Sequence, residues 1–155
     1  MKKLKIYLDT SVWNFFYADD APEKKSITVD FYDQINRFDT YISNTVISEI
    51  ELANESKKSL LLDLIKRYPP TVLAPDPEIE RLTVLYLGRG IVPVKKTEDA
   101  RHIAYSTFYE MDVLLSWNYK HLANVFRKKQ IQIVNLQEGY LRPLDLITPL
   151  EVLGE

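Results

Sequence analysis

Short apolar runs alternate with longer amphipathic stretches along this chain, and no other feature restricts its possible folds so strongly. Ile6, Tyr7 and Leu8, closing at Asp9, have the pattern of a strand buried on both faces. Further strands are predicted at 39–43 ("DTYIS"), 91–94 ("IVPV", weakened by Pro93), 112–116 ("DVLLS") and 131–135 ("IQIVN"). Between them lie helical stretches. One opens at Pro22 and sets Ile27, Phe31 and Ile35 on one face; Asn44 is placed to cap "TVISEIELANES". The leucine repeat of "SLLLDLIKRYP" stops at Pro69 and Pro70, and the helix opened by Pro75 and Pro77 turns Ile79, Leu82, Leu85 and Tyr86 inward before Gly88 and Gly90. Thr97 is placed to cap "EDARHIAYSTFYEM", with a stripe of Ala100, Ala104, Phe108 and Met111. "YKHLANVFRKK" and a short segment at Pro149 read as the last helices. Strand–helix alternation implies right-handed crossovers. The expected architecture is a three-layer α/β/α sandwich with a central, mostly parallel five-stranded sheet, one domain over 1–155.

Such sheets gather ligands outside the carboxyl ends of their strands, so the polar residues on that rim matter most. Strand one ends at Asp9, and strand two runs into a helix carrying Glu49. The Pro93 segment leads to Asp99 in the first turn of a helix, and strand four ends at Ser116 and Asn118. Each has an ordinary structural reading: Asp9 capping a turn, Asp99 favoured by a helix dipole, Glu49 facing water, Asn118 capping the last helix. Together they read differently. Carboxylates on one rim repel by as much as about 4 kcal/mol per pair at ~4 Å and an effective dielectric of ~20. Either one acid stays protonated or a cation sits among them.

The chain has no cysteine and two histidines, so thiol chemistry is excluded, and hard oxygen donors favour Mg²⁺ or Mn²⁺ over zinc. A divalent ion activates water and neutralises an anionic substrate, a combination suited to phosphodiester hydrolysis. No GxSxG and no phosphate-cradling glycine loop competes. The net charge of −2 argues against a general polycation, leaving nucleic-acid contact to local patches at 1–5, 57–58, 95–96 and 127–129, which also read as solvated faces. No apolar stretch approaches the ~20 residues of a membrane span, and a cytoplasmic location is the expectation.

"YLDTSVW", "SNTVISEIE", "TEDARHIAYSTFYEMDVLLSWNYKHL" and "ITPLEVL" together resemble the PIN-domain family of metal-dependent ribonucleases, which includes VapC-type toxins of toxin–antitoxin pairs. The resemblance runs over nearly the whole chain. It implies Asp9, Glu49 and Asp99 as metal ligands, with Asn118 at the fourth, usually acidic, position. An amide there can ligate a metal or hold its water but adds no charge, which bears on a second ion. The resemblance further implies an RNA substrate, endonucleolytic cleavage, Mg²⁺ or Mn²⁺ as cofactor, a homodimer and a small antitoxin as partner. A second reading is a degenerate PIN-like domain that binds RNA or a protein without cutting. A haloacid-dehalogenase-type phosphatase, suggested by "LDTSV", lacks the second aspartate because Ser11 stands there.

Asp112 begins strand four and falls on the opposite rim, while Glu51 and Glu98 neighbour the proposed ligands but project about 100° away. Thr10, Ser11 and Ser116 are placed to donate to the carboxylates. His102, one turn after Asp99, reads as a partly exposed helical histidine, although it is near enough to reach the same ion. His121 reads as ordinary packing or a phosphate contact. Trp13, Phe15, Phe16, Tyr17 and Trp117 read as packing, with base stacking as the alternative. Lys95 and Lys96 read as solvated lysines.

Overall fold

A computed structural model describes residues 2–118 and 124–154. Its centre is a five-stranded, wholly parallel sheet: β1 (Leu4–Leu8), β2 (Phe38–Ser43), β3 (Thr71–Leu73), β4 (Val113–Leu115) and β5 (Asp145–Ile147), in the spatial order β3-β2-β1-β4-β5. Helices flank the sheet, giving the expected α/β/α architecture. Ile6 pairs in register with Thr40 of β2 and with Val113 of β4. Ile6, Tyr7 and Leu8 are fully buried, as befits a central parallel strand covered on both sides.

Local chemistry explains most helix starts. In α1 (Thr10–Asn14), Asp9 is the N-cap and its carboxylate accepts the Ser11 amide. Pro22 opens α2 (Pro22–Asp33), whose Phe31 and Tyr32 are buried, while Ile27 and Ile35 are half-buried and Ile35 lies beyond its end. The helix α3 (Asn44–Glu51) is capped by Ser43, not Asn44: the Ser43 hydroxyl accepts the Thr45 amide, and Asn44 is exposed. Asn54 caps α4 (Glu55–Arg67), and Asp76 caps α5 (Pro77–Gly88). Asn124 caps α7 (Val125–Gln137), and Thr148 with Glu151 forms a capping box on α8 (Pro149–Leu153). In α6 (Thr97–Phe108), Thr97 is already helical and its hydroxyl donates to the Val94 carbonyl.

Three stretches depart from the sequence pattern. Residues 91–94 form no strand: Ile91 and Val92 are buried, but Pro93 lacks an N–H and a single 3₁₀ turn, Val94–Lys96, follows. The third strand is the edge segment Thr71–Leu73, just beyond the proline pair that ends α4. "IQIVN" lies inside α7, where Ile131 and Val134 are buried three residues apart, a helical spacing masked by local alternation. The fifth strand is then Asp145–Ile147. The expected stripe of α6 is also too narrow. Ala100 and every residue from His102 to Thr107 are buried, because α6 packs chiefly against α5 and also meets α3 and β4; Met111 is buried beyond its end.

From β1 the chain steps outward through β2 to β3, then crosses back to place β4 on the other side of β1. The loops after β1 and β4 therefore leave adjacent strands in opposite directions. A crevice opens between them at the carboxyl ends.

Candidate active site

Asp9 sits at that crevice. Its amide donates to the Leu115 carbonyl (3.2 Å), tying the end of β1 to β4. Its side chain is 4% exposed and fully engaged. Oδ1 accepts from the Ser11 amide (2.9 Å) and hydroxyl (2.5 Å), and Oδ2 accepts from the Ser116 hydroxyl (2.6 Å). The same serines hold the β4 loop, since the Trp117 amide donates to Ser11 Oγ and the Asn118 amide to Ser116 Oγ, both at 2.9 Å. Capping and carboxylate orientation are thus one arrangement.

The other predicted positions line the same hollow. A pocket of about 280 Å³ is bounded by Asp9, Thr10, Ser11, Asn14, Glu49, Asp99, His102 and Asn118. Glu49 comes from α3, with Oε1 accepting from the Thr10 hydroxyl (2.6 Å) and lying 2.7 Å from His102 Nε2. Asp99 comes from the first turn of α6, and its Oδ2 accepts from Asn118 Nδ2 (3.0 Å). The structure therefore brings Asp9, Glu49, Asp99 and Asn118 together, from four separate segments. Asn118 does not cap the helix that follows it, α7, a place taken by Asn124.

Burial and mutual repulsion set the charges. Burial pushes the Asp9 carboxyl above its usual value, against the opposing pull of His102 and the two serine hydroxyls. Asp99 is pushed up to about 6, first by burial and next by the Asp9 charge. Burial also acts upward on Glu49, but the His102 hydrogen bond and charge outweigh it and hold this carboxyl below its ordinary range. His102 is raised: burial opposes its charge, and the Glu49 hydrogen bond with the charges of Asp9, Glu49 and Asp99 overcomes that opposition. Anionic charge is concentrated here beyond what local cations balance.

These donors fit a hard divalent cation. Glu49 Oε2 and Asp99 Oδ1 accept no hydrogen bond from the described residues, which leaves each acid an oxygen for a ligand. Among the described residues, no three acidic or histidine side chains are drawn into a ready-made ligand cluster. The acids are spaced around the hollow and tied to their own partners. An ion held by oxygens so placed would complete its coordination with water, the habit of Mg²⁺.

Two lining residues, Asn14 and His102, stand outside the ligand set expected from the sequence. Asn14 gives no pattern of its own. His102 is not partly exposed but 1% exposed, with Nδ1 2.7 Å from the Tyr7 hydroxyl. Its neighbours Ala100, Ile103 and Ala104, all buried, carried that signal. Thr10, Ser11 and Ser116 do donate to the carboxylates.

Asp112 lies away from the pocket, accepting from the Lys5 amide and Arg142 at the start of β4. Glu51 is exposed, and Glu98 pairs with Arg101. Trp13 and Trp117 are buried, Trp117 donating to Thr28, while the half-buried Phe15 lies 5.9 Å from the Trp117 ring. Lys95 is exposed, whereas Lys96 is half-buried and its charge reaches Asp99. His121 and the start of the stretch "YKHLANVFRKK" lie outside the described residues. A larger hollow, about 350 Å³ and lined by residues including Asp39, Tyr41, Arg67 and Tyr68, has Asp39 as its one acid, so size does not mark the site.

No family model matches the sequence, and no curated protein does. Among solved structures, a chain of VapBC-1 from nontypeable Haemophilus influenzae superimposes with a TM-score of 0.57 at 14% identity, covering 94% of this chain and 98% of that one. Similarity at that identity establishes a shared fold. Among the described residues no helix is long and apolar enough to cross a membrane.

Proposed function

We propose that this protein is a VapC-like PIN-domain endoribonuclease, dependent on Mg²⁺ or Mn²⁺, and the toxin of a toxin–antitoxin pair. The observation that carries the reading is the convergence of Asp9, Glu49, Asp99 and Asn118 on one pocket at the strand-order switch. The overall likeness to VapBC-1 supports it. Asp9, Glu49 and Asp99 are the metal ligands in this reading, with Asn118 orienting metal or water. A bound divalent ion supplies Lewis acidity toward a phosphodiester and lowers the pKa of a water.

The chain's own groups do the rest. Ser11 and Ser116 hold both Asp9 oxygens, so that carboxylate cannot rotate away; Asn118 steadies Asp99 from the β4 loop. Asp9 and Asp99, both raised by burial, are the acids whose charge a bound cation would favour. An antitoxin and a second copy of the chain are the partners in this reading, and the cytoplasm is its location.

The test is cleavage of single-stranded and structured RNA by purified protein in Mg²⁺ or Mn²⁺, with and without chelator. Endonucleolytic products that vanish with chelator and return with added metal are expected. Cleavage indifferent to chelator contradicts the metal role. The donation from Asn118 to Asp99 and the spaced acids favour one other reading, a non-catalytic PIN-like binding module. RNA or protein binding without cleavage at any metal concentration selects it.

A further inference from the structure

Among the described residues, two hydrogen-bonded lines of buried polar groups differ in where they end. Tyr86, Thr107 and Asn135 bond to one another across α5, α6 and α7, at 2.6–3.0 Å, and touch none of the acids of the Asp9 pocket; Asn135 borders only a separate hollow of about 120 Å³. That set fastens helices. The other begins at Ser43, passes to the Tyr7 hydroxyl (2.7 Å), then to His102 Nδ1 (2.7 Å), and finishes from Nε2 on Glu49 Oε1 (2.7 Å). Tyr7 and Ser43 are fully buried and His102 is 1% exposed, so this line of polar atoms runs through the core beneath the pocket. The fold does not require it: Tyr7 lies between Ile6 and Leu8 in the central strand, where an apolar side chain satisfies the pattern.

For a neutral His102 ring, the directions of these bonds follow from the acceptor-only carboxylate of Glu49 at one end. Ser43 Oγ accepts the Thr45 amide, leaving its own proton for Tyr7. Tyr7 then gives its proton to Nδ1, and the ring's remaining proton lies on Nε2, facing the carboxylate. The opposite tautomer sets an imidazole lone pair against a carboxylate oxygen. An imidazolium also carries a proton on Nε2, so the donation to Glu49 holds in either charge state.

We propose that His102, oriented from behind by Tyr7 and Ser43, is the positioning residue that fixes the Glu49 carboxylate at the pocket, engaging Oε1 and leaving Oε2 for a ligand. Thr10 donates to the same oxygen from the front. The inference rests on Glu49 being a metal ligand, as proposed above. A partner that holds a ligating carboxylate acts on affinity through orientation.

The test is Mn²⁺ titration followed by electron paramagnetic resonance on the wild type, His102→Gln, His102→Leu and Tyr7→Phe, with thermal unfolding in chelator to establish that each is folded. His102→Leu is expected to weaken Mn²⁺ binding about 10- to 100-fold, the range for partners of ligating residues. His102→Gln, which retains an N–H for Glu49 and a carbonyl for Tyr7, is expected to restore most of that loss. Tyr7→Phe touches no pocket acid and is expected to weaken binding less than His102→Leu. If affinity instead follows unfolding temperature alone, with Gln no better than Leu, or if Leu and Phe bind as the wild type does, the positioning role is overturned. A wild type that binds no Mn²⁺ overturns the metal reading and this inference together, a result separable from the one in which only the variants are unaffected.

Discussion

Asp9→Asn is expected to lower metal-dependent RNA cleavage by about 10³-fold, equivalent to ~4 kcal/mol of barrier, while leaving the fold intact. The side chain keeps its shape, and Oδ1 still accepts the Ser11 amide. What changes is the other side: an NH₂ now faces Ser116 Oγ, which in the wild type donates to Asp9, and a full negative charge is lost from the pocket. Because Asp9 is the second-largest cause of the raised Asp99 pKa, the variant's Asp99 should titrate nearer the ordinary carboxyl range. Single-turnover cleavage at saturating Mn²⁺, with circular dichroism as a folding control, measures the effect. Activity within tenfold of wild type contradicts the role given to Asp9.

Asp99→Asn is expected to do the opposite to stability: without metal it strengthens the fold at neutral and alkaline pH. The sign follows from linkage. The folded-state pKa of Asp99 is raised from 3.8 to about 6, so its favourable contribution is complete below the unfolded value and is lost as pH rises through about 6. A shift of that size corresponds to at most ~3 kcal/mol, and partial exposure reduces it to about 1–2 kcal/mol. In chelator, urea unfolding should therefore show the variant more stable by about 1–2 kcal/mol at pH 8, and equal to wild type near pH 3.5. Added Mn²⁺ should reverse the order at pH 8, because the wild type gains more from the ion. A variant less stable than wild type at pH 8 in chelator removes the case for crowded charge at this position.

The site was more legible in the sequence than the sheet that carries it. Asp9 follows a strand and Asp99 opens a helix, positions that apolar runs and caps mark well, while Glu49 lies a turn and a half into the helix after β2. Their hydroxyl partners were readable for the same reason, being adjacent in sequence to the strand ends they serve. The strands β3 and β5 were not, since each is three residues long and, unlike the equally short but wholly buried β4, is only partly buried. Three residues cannot show a period. "IQIVN" misled because about a turn and a half of helix, with Ile131 and Val134 inward and Ile133 exposed, looks alternating over five positions. His102 is a different case. Its hydrogen-bond partner is a hydroxyl from β1, 95 residues away, and no local pattern reports that bond.

In the proposed reading the pocket holds a divalent ion between acids of three separate segments. A crystal grown or soaked with Mn²⁺, with data collected at the manganese edge, tests it most directly. The expected result is an anomalous peak ligated by carboxylate oxygens of Asp9 and Asp99, with Glu49 bound directly or through water, at about 2.0–2.3 Å for the direct bonds. A saturated crystal whose manganese lies elsewhere, with the Asp9 pocket holding none, contradicts it.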